Sequence, residues 1–278
     1  MGYSPIGKPL MTACLYCLDD LLIDTGIRHC RKQVLSWLRQ KQITKTCLTH
    51  YHEDHSGNAA AVREQFAIPV FGHSVTVEKM KAPKSIYPYQ YLMWGASEAV
   101  EMAALGPVIE TEHFKLMPVH TPGHSRDHTA YWEPDQGWLF SGDLYLGDRI
   151  KYFRADEVFK DQMASLEKAL RLDFDTLFCS HNPRLSDGKR YLARKLDFFR
   201  SLAEQVRHLR QKGLTARQIM KHAGIKEVLP IKLLCAGNVK AEYIVESAIE
   251  MIEEAPPVKL SSLPGNSDKA ECRDAGSR

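Results

Sequence analysis

The densest metal-binding chemistry in the chain is Thr49-His50-Tyr51-His52-Glu53-Asp54-His55-Ser56-Gly57-Asn58, where three imidazoles and an aspartate fall within six residues. Neutral imidazole and carboxylate are ligands that Zn²⁺, Fe²⁺ and Mn²⁺ accept. The run Ile43 to Leu48 just before them reads as a buried strand, so the cluster begins where a strand gives way to a loop. Extended backbone sends alternate side chains the same way, which lets His50 and His52 converge on one point. Asp54 and His55 fall at the start of the helix expected from Asn58 to Phe66, turned toward a second point. A histidine-rich solvated loop has no need of four ligands at this spacing.

Four more isolated candidates follow the same logic. Asp24 ends Leu21-Leu22-Ile23-Asp24, His124 sits in Thr121-Pro122-Gly123-His124, Asp143 in Phe140-Ser141-Gly142-Asp143, and His181 ends Leu177-Phe178-Cys179-Ser180-His181. Together with His50-x-His52-x-Asp54-His55, and in this order, these motifs resemble the metallo-β-lactamase fold superfamily over about residues 10 to 185. The resemblance implies an α/β fold, a four-layer αββα sandwich. It also implies that His50, His52 and His124 hold a first metal, that Asp54, His55 and His181 hold a second, and that Asp143 bridges them. Asp24 would hold a ligand loop by hydrogen bonds. The implied cofactor is two zinc ions per chain, with iron or manganese as the alternatives. The implied reaction is cleavage of an ester, thioester or lactone of a small molecule by a hydroxide that bridges the two ions and that Asp54 helps to orient. Tyr145, two residues past Asp143, would share its face if that segment is extended, and is the candidate donor to an oxyanion or leaving group. A packed tyrosine is the other reading.

The branch can be narrowed. True metallo-β-lactamases lack the bridging aspartate, so Asp143 argues against that activity. Glyoxalase II holds glutathione with a basic and aromatic set after the last histidine, which Asn182-Pro183-Arg184-Leu185 does not clearly reproduce. An endoribonuclease or phosphodiesterase would need a basic track, for which Lys189, Arg190, Arg194 and Lys195 are the candidates, although such a run is more often a solvated helix face. A mononuclear iron sulfur dioxygenase would carry a Gly-Cys-Gly motif where Leu144 to Arg149 stands.

The remaining sequence fits these readings. The chain has 278 residues, 44% hydrophobic and 26% charged, with a formal charge of +3, too small to argue for nucleic acid. Seven scattered cysteines fit reduced thiols in a cytoplasmic protein, and Cys14-x-x-Cys17 has no second pair to make a metal site. No secretory signal and no membrane span are read. Strands are expected at Met11 to Leu18, Leu21 to Asp24, from Ile43, Ile68 to Phe71, His113 to Val119, Thr129 to Glu133, Gly137 to Phe140 and Thr176 to Cys179. Helices are expected at Cys30 to Gln40, Ala59 to Phe66, Val158 to Leu170, Asp187 to Gly213, from Thr215, and Lys240 to Glu253. This divides the chain into a catalytic domain, 1–185, a helical appendage, 186–255, resembling those of the glyoxalase II-like and endoribonuclease-like branches, and a disordered tail, 256–278. The aromatic stretch Ala82 to Gly95 is a lid, a pocket wall or a homodimer contact, and as a wall it implies a substrate with an apolar or aromatic portion. His29, His208 and His222 read as solvated, while His73 and His128 are candidates for contacts behind the ligands or with substrate.

Overall fold

Alternation along short strands sets the architecture of the computed structural model, which describes residues 1–4, 7–9 and 11–254. In chain order the elements begin β1 (Tyr16–Leu18), β2 (Leu21–Ile23), α1 (Arg31–Leu38), β3 (Lys45–Cys47), α2 (Glu53–Ser56), α3 (Ala59–Phe66) and β4 (Val70–Gly72). Next come α4 (Ser74–Lys81), α5 (Pro88–Met93), β5 (Ala103–Ala104), β6 (Ile109–Glu110), β7 (Lys115–His120), β8 (Thr129–Glu133) and β9 (Trp138–Gly142). The chain continues through β10 (Phe153–Arg154), α6 (Phe159–Leu170), β11 (Thr176–Cys179), α7 (Gly188–Gln211), α8 (Ala216–His222), α9 (Leu229–Leu234), β12 (Val239–Lys240) and α10 (Glu242–Glu254).

One sheet has the order β1-β2-β3-β4-β5 and the other β11-β9-β8-β7-β6. Leu21, Ile23 and Cys47 of the first sheet meet Leu116, Tyr131 and Phe140 of the second in a shared core. Leu22 points the opposite way, into a layer built with Val34, Leu35 and Leu38 of α1 and Val62 of α3. Leu139 and Leu177 likewise turn outward, onto Phe159, Leu196, Phe199 and Val245 of the C-terminal helices. Helix, sheet, sheet, helix is therefore the layer order, as the period-two patterns require.

Parallel β2 and β3, together with β9 and parallel β11, finish at one edge of the two sheets. Strand β7 runs antiparallel to β8, which runs antiparallel to β9, so β7 ends at that edge too. The ligand-bearing loops follow these five strand ends.

Several expectations need correcting. Of Met11 to Leu18 only β1 enters a ladder, and the hairpin to β2 turns at Asp19 with φ +49°. Residues 74–110 contain α4, α5, β5 and β6, which the aromatic composition conceals. Helix α9 and the β10–β12 ribbon are also unannounced, because two-residue strands carry no usable period. The expected tail, 256–278, lies outside the described residues. Among the described residues no helix is long and apolar enough to cross a membrane.

The C-terminal helices are held to the rest of the chain by polar contacts as well as by packing. Phe159 N–H, at the start of α6, donates to Ser247 Oγ of α10 at 3.0 Å, and Asn238 Nδ2 donates to Tyr89 Oη at 2.9 Å. The Phe199 ring is fully buried, 4.6 Å from Phe159 between centroids. Replacing Phe199 by Ala should cost about 3–5 kcal/mol of stability in urea unfolding. A loss below about 1 kcal/mol would show that α7 does not pack as described.

Candidate metal centre

His50 and His52 follow β3 on a segment that bends at Thr49, Tyr51 and His52 into α2, and their imidazoles meet at one point. His50 Nε2 lies 2.8 Å from His52 Nδ1, and His124 Nε2, carried on the β7–β8 loop, lies 3.0 Å from the same atom. Three nitrogens this close cannot all satisfy one another with protons. Burial, and then the neighbouring imidazoles, hold His50 well below the usual histidine range, while burial and then the Arg154 cation do the same for His52. Both rings are therefore neutral, with lone pairs available.

The second cluster is Asp54, His55, Asp143 and His181. His181 Nε2 lies 3.3 Å from Asp54 Oδ2 and 3.2 Å from Asp143 Oδ1, and His55 Nε2 is 3.4 Å from the same Asp143 oxygen. The other Asp143 oxygen, Oδ2, faces His124 Nε2 at 3.4 Å. One carboxylate thus reaches into both clusters. Burial opposes charge on His55 and His181, yet the surrounding carboxylates outweigh it and hold both imidazoles well above the usual range. The same pairing, against burial, holds Asp143 well below the carboxylate range.

The outer nitrogens show which atoms are aimed inward. His55 Nδ1 lies 2.8 Å from Asp24 Oδ2, His50 Nδ1 3.0 Å from Thr49 Oγ1, His124 Nδ1 3.4 Å from Glu157 Oε2, and His181 Nδ1 2.6 Å from the Thr12 carbonyl. For His50, His55 and His181 these acceptors place a proton on the outer nitrogen and turn the inner nitrogen to the cradle, the arrangement that metal-binding histidines need, while His124 Nδ1 faces Glu157 without a hydrogen bond. Meanwhile His55 Nε2, His181 Nε2 and Asp143 Oδ1 are buried without a hydrogen-bond partner. A cradle of three imidazole nitrogens and one of mixed nitrogen and carboxylate oxygen fit divalent cations.

The seven expected ligands are thus brought together, and Asp24 stands behind them as expected. Asp24 also accepts from Thr49 N–H at 2.7 Å. His128 takes the supporting place that was one of its two readings. Its Nε2 accepts from Asp143 N–H at 2.9 Å while Nδ1 donates to the Thr121 carbonyl, and burial lowers its pKa to about 3. His73 does not approach the centre; it caps α4 and stacks on His120.

Tyr145 does not reach the cavity either. The chain turns at Asp143, with Leu144 N–H donating to the Ser141 carbonyl at 2.9 Å, so the extended segment that would have aligned Tyr145 with Asp143 does not exist. Its ring is fully buried, its hydroxyl donates to Asp148 at 2.6 Å, and its pKa is raised to about 12 by burial and then by Asp148.

Two contributors escape the sequence reading. Glu157 lies in Ala155-Asp156-Glu157-Val158 with no pattern to mark it. Lys195 is legible in principle: it stands three residues after Leu192 and four before Phe199, on the apolar stripe of α7. It is fully buried rather than solvated, and its Nζ donates to the Leu144 carbonyl at 2.7 Å, pinning the residue after Asp143. Lys189 Nζ bonds the Leu172 carbonyl and Arg194 pairs with Asp148, so the basic run does not form a track to the metals.

A cavity of about 850 Å³ opens over the ligands. Tyr89, Met93 and Trp94 line it, which places part of the aromatic 82–95 stretch as a pocket wall. Glu53, on the ligand loop, accepts from Gln90 Nε2 at 3.0 Å and so ties α5 to that loop. From the appendage, Ile231, Leu234 and Val239 complete the far side.

These contacts can be tested at two residues. Asp24→Ala should weaken metal retention by about 10- to 100-fold, measured by competition with a chelator; unchanged retention would remove Asp24 from its supporting role. The second residue is Lys195, whose pKa burial lowers to about 8 from the ordinary 10.5. Below about pH 8 both folded and unfolded chains carry the ammonium, and the fold bears the full cost of burying it. Between about pH 8 and 10.5 the unfolded chain holds more protons, so stability rises with pH. In metal-stripped protein the wild type should gain stability relative to Lys195→Met between about pH 7.5 and 9.5 in urea unfolding. A constant or shrinking difference would contradict this.

Comparison with known proteins agrees with the geometry. The family model described as the metallo-beta-lactamase superfamily matches residues 19–181. A hydroxyacylglutathione hydrolase from Nitrosomonas eutropha is 30% identical over 181 residues, 64% of this chain and 61% of that protein. A beta-lactamase-like protein 2 homolog from Caenorhabditis elegans is 29% identical over 195 residues, 66% of this chain and 60% of its own. The chain therefore spans about three fifths of the length of these curated relatives. A metallo-beta-lactamase family protein from Thermus thermophilus shares the fold with a TM-score of 0.63 at 19% identity, covering 90% of this chain and 91% of that one. Ligand order, layered fold and family match coincide, and the chain belongs to the metallo-beta-lactamase superfamily.

Proposed function

We propose that this chain is a two-metal hydrolase that cleaves a thioester, ester or lactone of a small molecule, with zinc in both cradles. The observation that carries the reading is the division of Asp143, one oxygen toward His55 and His181 and the other toward His124. His50, His52 and His124 would hold one ion, and Asp54, His55 and His181 the other. When bound, two such ions polarise an acyl oxygen and lower the pKa of a shared water from near 16 toward about 7.

The side chains supply the rest. Asp54 turns Oδ2 to His181 and His55, which leaves Oδ1 to accept a proton from the attacking water and hold its direction. Asp24 keeps a proton on His55 Nδ1 and turns Nε2 inward, and the Glu157 carboxylate faces His124 Nδ1. His128 holds the Asp143 N–H and Lys195 the carbonyl of the next residue, Leu144, so the position of Asp143 costs little reorganisation. Tyr89, Met93 and Trp94 offer an apolar surface to one part of the substrate and exclude water beside the reacting centre. Similarity to hydroxyacylglutathione hydrolases favours a thioester within this class.

Purified without added metal, the protein should carry about two zinc ions per chain, and Asp54→Ala fewer. The same variant should lose about 10²- to 10⁴-fold in kcat/KM on whichever thioester or ester the wild type cleaves. One iron per chain, little changed by the substitution, would sink the dinuclear reading.

A further inference from the structure

The loop from Asp143 to α6 places Arg149, Lys151 and Arg154 on the cavity wall within six residues. Arg149 and Lys151 have no hydrogen bond or ion pair among the described residues. Arg154 holds Asp156 through Nε at 3.4 Å, while its two terminal nitrogens meet no acceptor among the described residues. Its side chain is 17% exposed, so this is a largely desolvated guanidinium opening onto the cavity. Glu53 and Asp156 offset its charge, but Glu53 is engaged with Gln90 and neither fills the outer fork.

His52 turns Nδ1 to the first cradle, and its Nε2 is buried without a partner among the described residues. The carboxylates lining the cavity are all committed. Asp54 and Asp143 are in the cradles, and Glu157 accepts from Gln162 while facing His124. Donors are therefore in excess on one wall and acceptors are spent. Apolar surface adjoins Arg154 directly: β10 pairs it with Val239, which packs with Tyr89, Met93 and Ile231, and the exposed Tyr91, Leu92 and Leu233 belong to the same α5 and α9.

We propose that the Arg149–Lys151–Arg154 wall binds an anionic group, a sulfonate, carboxylate or phosphate, on the leaving half of the substrate, with the acyl half along α5 and α9. The substrate class is then an amphiphilic anionic thioester or ester. A planar guanidinium with a free fork is the group that recognises such oxygens. These cations precede His181 in the chain, whereas the basic set implied by a glyoxalase II likeness would follow it. Naming the ligand a substrate rests on the hydrolase reading above; the anion subsite itself does not.

Two matched pairs of compounds separate the two claims. The first is S-octanoyl 2-mercaptoethanesulfonate against S-octanoyl 2-mercaptoethanol. The second is the corresponding S-octyl thioethers, which cannot be hydrolysed and whose binding is followed by quenching of Trp94, which lines the cavity. Sulfonate is used because it is a poor zinc ligand. The metal-loaded wild type should bind the sulfonate thioether at least tenfold tighter than the neutral one and show a similar ratio in KM for the thioesters. Arg154→Met should collapse that ratio toward one, and the more exposed Lys151→Gln and Arg149→Gln should each reduce it. Equal binding of the two thioethers by the wild type, or an unchanged ratio in all three variants, overturns the anion subsite. Selective binding without hydrolysis of either thioester supports the subsite and counts against the hydrolase reading alone.

Discussion

The Asp24 carboxylate is the contact on which both cradles depend. It is fully buried, sits in the left-handed region with φ +60°, and accepts from the backbone and hydroxyl of Thr49 while holding His55 Nδ1. Thr49 in turn touches His50. One oxygen pair therefore sets the direction of a histidine in each cluster. A buried carboxylate is costly unless every lone pair is used, and here the ligand loop supplies the donors. The strained backbone at Asp24 aims the side chain across from β2 to the end of β3, the kind of local cost that is retained where a site needs it.

Around that contact the protein balances buried charge rather than avoiding it. Asp54, Asp143, Glu157 and Lys195 are all held within the same low-dielectric region, and each has a specific partner. Cys179 shows the same principle at the β11 end: its thiol donates to the Tyr145 carbonyl and accepts from His181 N–H and Asn182 N–H. The loops carrying Asp143 and His181 are thereby joined through one small side chain. Preorganised groups of this kind lower the reorganisation required when charge develops in a reaction.

The ligands are legible in the sequence because metal chemistry restricts residue types and extended backbone restricts direction. Five short motifs in order are enough to place seven side chains and the layered fold. What stays hidden depends on contacts that span the chain. Glu157 gains its role only because α6 begins beside His124, and Thr12 contributes a carbonyl, which no side-chain pattern can announce. Tyr145 falls elsewhere because its alignment assumes an extended segment, and a turn at Asp143 intervenes. Lys195 shows the opposite failing: charge suggests solvent, while register on the apolar stripe of α7 already places it inside.

The distance along the chain between partners has a consequence for synthesis. The histidines of the first cradle end with His124, although Asp143 and Glu157 face that ring from later in the chain, whereas the second waits for His181, whose outer nitrogen is held by Thr12, 169 residues earlier. On a ribosome that releases the chain from its N-terminus, the leading segment must remain available until β11 emerges. The far cavity wall arrives later still, with α9 and β12. A nascent chain thus has all three histidines of the first cradle well before it has an enclosed cavity.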